Sequence, residues 1–90
     1  MTWEIELSET AELFLGKLYK TNKKTVSQIH KKLLMIAQHP KQFGKPLKGD
    51  KAGMWRYRFG DYRILCNLKD NVMTILVLEI GDRKDIYDNA

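Results

Sequence analysis

Trp55-Arg56-Tyr57-Arg58-Phe59-Gly60-Asp61-Tyr62-Arg63 decides how this chain folds. Trp55, Tyr57 and Phe59 alternate with Arg56 and Arg58, the period of a strand with one apolar and one polar face. Gly60-Asp61 suits a two-residue type II′ turn, which places glycine first. Tyr62-Arg63-Ile64-Leu65-Cys66-Asn67-Leu68 then reads as the return strand. A loop of only Gly60-Asp61 sets Phe59 opposite Tyr62 and Arg58 opposite Arg63. Arg56, Arg58 and Arg63 then share one face, although like charges placed opposite one another destabilise a hairpin. A sheet that accepts this cost is expected to hold an anion there.

Outward from the hairpin, the rest of the chain supplies a frame. Trp3, Ile5 and Leu7 alternate with Glu4 and Glu6, predicting a short opening strand. Ser8 is placed to cap a helix whose first turn carries Glu9 and Glu12, where negative charge suits the helix dipole. Ala11, Phe14, Leu15 and Leu18 form one apolar stripe, and Lys20-Thr21-Asn22 breaks it. Val26, Ile29, Leu33, Ile36 and Ala37 predict a second helix, ended by Pro40. With so short a break, the two helices should form a hairpin lying on a sheet. The stretch from Lys41 to Gly53 is punctuated by Gly44, Pro46, Gly49 and Gly53 and reads as a basic surface loop. Lys69-Asp70-Asn71 predicts a turn. Val72 to Ile80 then reads as a central strand, apolar on both faces and ended by Gly81.

The resulting order, βααβββ, predicts an α+β fold: an antiparallel sheet with a two-helix hairpin packed on one face. The 90 residues suffice for a single domain, residues 1–90, with one modest core. A charged fraction of 30 % beside 43 % apolar residues is an ordinary globular balance. No apolar run approaches the ~18 residues of a membrane span, and no signal peptide is visible. Cys66 is the lone cysteine, so an internal disulfide and CxxC zinc spacing are both absent, and a cytoplasmic setting is expected. The net charge of +5 favours an acidic partner without choosing among RNA, DNA and acidic proteins.

The ordered set Pro46-Leu47-Lys48-Gly49, Trp55-Arg56-Tyr57-Arg58, Gly60-Asp61-Tyr62-Arg63-Ile64 and Gly81-Asp82-Arg83-Lys84-Asp85-Ile86-Tyr87 resembles the RelE branch of the RelE/ParE toxin superfamily. The resemblance implies a microbial-RNase-like toxin that cleaves messenger RNA on the ribosome without a metal or other cofactor. It also implies silencing by a cognate antitoxin in a hetero-oligomer. The family reaction is attack of the RNA 2′-hydroxyl on the adjacent phosphate. Carried over by position, the catalytic set is Arg56, Arg58, Arg63, Arg83 and Tyr87. Lys45, Lys48, Lys51 and Lys84 are expected to bind RNA, with simple solubility the competing reading of the loop lysines.

Arginine suits such a site because its planar, permanently charged fork matches a phosphate. Tyr87 is a candidate to contact the 2′-hydroxyl or stack on a base. Two positions depart from the family pattern. Arg56 and Arg58 stand where some RelE proteins carry lysine, a readier proton donor, and Asp82 sits where basic residues or histidine are common. The rival within the superfamily is a ParE-like toxin that binds DNA gyrase, which shares the fold and needs no convergent phosphate site.

Overall fold

The computed structural model describes residues 2–47 and 53–82. Strand β1 (Glu4–Leu7) leads into helix α1 (Glu9–Thr21), and helix α2 (Lys23–Gln38) follows with only Asn22 between them. Four strands complete the chain: β2 (Lys45–Pro46), β3 (Met54–Phe59), β4 (Tyr62–Lys69) and β5 (Thr74–Asp82). They form one five-stranded sheet in the order β1-β5-β4-β3-β2. The two helices pack on one another and α1 packs along β5, so the α+β expectation holds.

The helix ends follow from local chemistry. The Ser8 hydroxyl accepts from the Ala11 N–H at 3.0 Å and donates to the Leu78 carbonyl at 2.7 Å. One side chain thus caps α1 and ties it to β5. Asn22 serves both helices: its backbone N–H donates to the Leu18 carbonyl, and its side chain accepts from the Thr25 N–H. Helix α2 stops at His39, and Pro40 beyond it cannot continue the helical ladder.

The apolar positions converge as their spacing predicts. Ala11 from α1 meets Ile29, Leu33, Ile36 and Ala37 from α2 above Tyr57, Ile64, Cys66, Ile75, Val77 and Ile80 of the sheet. Full burial of each large aliphatic side chain contributes roughly 1.5–3 kcal/mol. Phe14 meets Tyr62 edge-on, with ring centroids 6.2 Å apart, and so closes the core at the hairpin end.

The β3–β4 register matches the expectation: Phe59 pairs with Tyr62 and Arg58 with Arg63. Gly60 takes φ +57° while Asp61 does not enter positive φ, as a type II′ turn requires.

Other boundaries are corrected. The segment read as loop contains a two-residue strand, β2, which pairs antiparallel with Arg56 and Trp55. The last strand begins at Thr74 rather than Val72, because Asp70–Val72 winds into a 3₁₀ turn and Met73 adopts φ 46°. It also runs through Gly81 to Asp82, since Arg63 and Tyr62 of β4 continue the ladder beside it. Strand β1 pairs parallel with β5, which makes the sheet mixed around its antiparallel centre. Between the pairs Leu65–Glu79 and Cys66–Val77 the register slips, leaving Leu78 as the extra residue of a bulge.

Candidate functional site

Cross-strand pairing builds the site row by row. Lys45 pairs with Arg56, Arg56 with Leu65, and Leu65 with Glu79, so these four side chains belong to one sheet face. The adjacent row is Arg58, Arg63 and Gly81. Helices cover the opposite face, which carries Tyr57, Ile64 and Ile80. Lys45, Arg56, Arg58 and Arg63 are thereby gathered on the face turned away from the helices. Arg58 is exposed and Arg56 and Arg63 are half-buried. Gly81 stands opposite Arg63 on the neighbouring strand. Asp82 pairs with Tyr62 and so takes the parity of the helix-covered face rather than that of the arginines. The exposed Glu79 is an acid on this face that sequence reading did not single out.

Strand β2 is short, and beyond Lys45 the chain leaves β3. A cleft of about 270 Å³ opens there, lined by Lys32, Phe43, Gly44, Lys45, Arg56, Tyr57 and Arg58. Gly44 holds φ +65°, and a Cβ on it would lie 2.3 Å from the Arg56 carbonyl oxygen and 2.6 Å from the Tyr57 ring. Only glycine lets the loop approach β3 so closely. The Tyr57 hydroxyl donates to the Pro40 carbonyl at 2.7 Å and anchors the start of the same loop. Three of the expected residues, Lys45, Arg56 and Arg58, therefore share this cleft, and Arg63 stands on the neighbouring strand opposite Arg58. Lys48, Lys51, Arg83, Lys84 and Tyr87 lie outside the described residues.

Lys32, on α2, is a cleft residue that the sequence analysis did not single out. Its ammonium sits 5.4 Å from the centroid of the Phe43 ring. The available signal was its spacing: three residues after Ile29 and four before Ile36, it flanks the buried stripe of α2.

The remaining ionisable core groups are chemically quiet. Burial, with a smaller addition from Cys66, pushes the Tyr57 phenol well above its ordinary value. Burial likewise pushes the Cys66 thiol up to about 12. Neither serves as a base or nucleophile near neutrality. The chemistry this site offers is concentrated positive charge on a rigid sheet.

A helix pair on one face of a small mixed sheet, with Lys45, Arg56, Arg58 and Arg63 on the other, defines an α+β domain with one basic sheet face. Solved structures agree on the fold. A chain of the toxin–antitoxin complex RelBE2 from Mycobacterium tuberculosis superimposes with a TM-score of 0.80 at 24% identity, over 94% of this chain and 95% of that one. The archaeal RelE–RelB complex from Pyrococcus horikoshii gives a TM-score of 0.72 at 20% identity, over 94% and 99% of the two chains. The isolated RelE toxin of E. coli gives 0.70 at 20%, over 89% and 83%.

In sequence, the chain is 36% identical over 52 residues to Toxin RelG of Mycobacterium tuberculosis (strain ATCC 25618 / H37Rv), a match that spans 58% of this chain and 60% of that toxin's length. The family model described as the ParE toxin of the type II toxin-antitoxin system parDE matches residues 5–87. The chain belongs to this toxin family, within the RelE/ParE superfamily.

Proposed function

We propose that this toxin is a ribosome-dependent messenger RNA endonuclease whose arginine face holds the scissile phosphate. The observation that carries the reading is the placement of Arg58 directly opposite Arg63, with Arg56 and Lys45 in the next row of the same face. Sheet pairing gains nothing from such a cluster, whereas a phosphodiester under attack does. The substrate 2′-oxygen bonds to phosphorus as the bond to the 5′-oxygen breaks. One proton leaves the 2′-oxygen and one reaches the departing 5′-oxygen, giving a 2′,3′-cyclic phosphate and a 5′-hydroxyl. Charge grows on the non-bridging oxygens, and each preorganised donor at such a centre contributes about 10²–10³ in rate.

In this proposal Arg56, Arg58, Arg63 and Arg83 neutralise that charge and hold the phosphate for in-line attack. Tyr87 contacts the 2′-hydroxyl or stacks on a flanking base. Lys45, Lys48, Lys51 and Lys84 bind the RNA backbone. A cognate antitoxin silences the toxin in a hetero-oligomer, and the net charge of +5 suits an acidic segment of that partner.

The test is to add purified protein to a translating extract and map new 5′ ends on the message, with gyrase supercoiling assayed beside it. New cuts, with upstream fragments ending in a cyclic phosphate and blocked by one 2′-deoxy substitution at the cut site, support the nuclease. The second reading, a ParE-like toxin that binds DNA gyrase, is favoured by the family model that the chain matches. Arrested supercoiling on an intact message would select it.

A further inference from the structure

The cleft at the β2 side of β3 joins the arginine face to helix α2, and Lys32 is the helix's cation in it. We propose that Lys32 is a further RNA-binding residue, gripping a message phosphate that flanks the scissile one. The inference rests on the nuclease reading and extends its substrate path from the sheet face around the β3 edge.

Backbone geometry supports a strand running there. The Leu47 N–H donates to the Met54 carbonyl at 2.9 Å, which makes these residues a hydrogen-bonded pair. Such pairs alternate along an antiparallel ladder, so Lys45 with Arg56 is the next and position 58 would be the one after. Among the described residues the β2 pairing stops at Lys45, and no described strand lies opposite the Arg58 peptide at that edge. Arg58 and Lys32 thus border the same cleft.

Lys32 is also held in place. The Phe43 ring 5.4 Å from its ammonium fixes the long side chain without neutralising its charge, as a carboxylate would. Among the described residues, the cleft lining contains cations and aromatics but no carboxylate. Its volume, about 270 Å³, lies below the ~300–1,000 Å³ of sites that engulf a small molecule, so it fits a backbone phosphate better than an enclosed base.

The experiment measures binding to ribosomes programmed with a message carrying a 2′-deoxy residue at the cut site, across a range of salt. Lys32→Ala should weaken binding several-fold and reduce the slope of log K against log salt by about 0.7, the increment for one phosphate contact on a single strand. On a cleavable message it should raise KM more than it lowers kcat. Lys32→Arg should restore both. Lys31→Ala, which removes the adjacent exposed lysine, should leave the slope near the wild-type value.

An unchanged slope in Lys32→Ala at wild-type melting temperature would overturn the inference while sparing the nuclease reading. So would an equal loss from Lys31→Ala, or the same loss on ribosomes without message. Weakened binding of an acidic antitoxin segment with RNA binding intact would assign the cleft to the protein partner instead. A wild-type toxin that neither binds nor cuts the message would overturn both proposals together.

Discussion

Arg58 stands directly opposite Arg63 across the β3–β4 hairpin, two strand residues into the ladder from the Gly60-Asp61 turn. Opposed like charges cost a hairpin a few tenths of a kcal/mol to about 1 kcal/mol. Relief of that repulsion and loss of a phosphate contact therefore pull one substitution in opposite directions.

Arg58→Thr should leave the fold unchanged or stabilise it by about 0.2–1 kcal/mol. The same variant should lose cleavage by about 10²–10³, the usual effect of removing one transition-state donor. Denaturant unfolding beside message cleavage checks both halves. A variant that unfolds more readily, or cuts at the wild-type rate, would contradict the assignment.

Tyr57→Phe tests the anchor of the loop that forms one wall of the cleft. The lost bond is the 2.7 Å contact from the Tyr57 hydroxyl to the buried Pro40 carbonyl. Leaving that carbonyl unpaired should cost about 1–3 kcal/mol. The Leu47 N–H, which bonds to the Met54 carbonyl, should exchange with solvent faster. Urea unfolding and amide hydrogen exchange read the two effects.

Two glycines should respond oppositely to alanine. At Gly44 a Cβ would sit 2.3 Å from the Arg56 carbonyl oxygen in a backbone already at φ +65°, so Gly44→Ala should destabilise by more than about 1 kcal/mol. Gly16 lies inside α1 with nothing within 4 Å of its added Cβ, and Gly16→Ala should stabilise by about 0.5–1 kcal/mol. Melting temperatures of the pair decide the matter.

Alkali should loosen the fold through Cys66 and Tyr57. The Cys66 thiol rises by burial from an ordinary 9.0 to about 12, and the Tyr57 phenol rises from 10.0 by burial and by Cys66. Both groups keep their protons in the folded state after the unfolded chain begins to lose its own. Their contribution to stability is thus complete below about pH 9 and declines as pH rises above it. Urea midpoints should be flat in this respect near neutrality and fall from pH 9 upward. In Cys66→Ala the onset should move toward pH 10, where only the tyrosine remains.

The sequence by itself determined the parts that local periodicity controls. Alternation in Trp55–Phe59 and the glycine-first turn set the hairpin, its register and the shared face of Arg56, Arg58 and Arg63. The stripes of α1 and α2, with Ser8 as the first cap, set the helices and their buried sides. In each case the deciding interactions lie within a few residues of one another.

Tertiary structure decided what depends on distant partners. The parallel pairing of β1 with β5, the extension of β5 to Asp82 and the bulge at Leu78 follow from ladder bonds between segments far apart in sequence. The two residues of β2 carry no alternation of their own, and become a strand because Gly44 allows the loop to approach Arg56 and Tyr57. Lys32 joins the arginines for the same reason. Its helix position is legible from spacing, but the cleft exists only where α2, the loop carrying Phe43 and Gly44, and the β2 side of β3 meet.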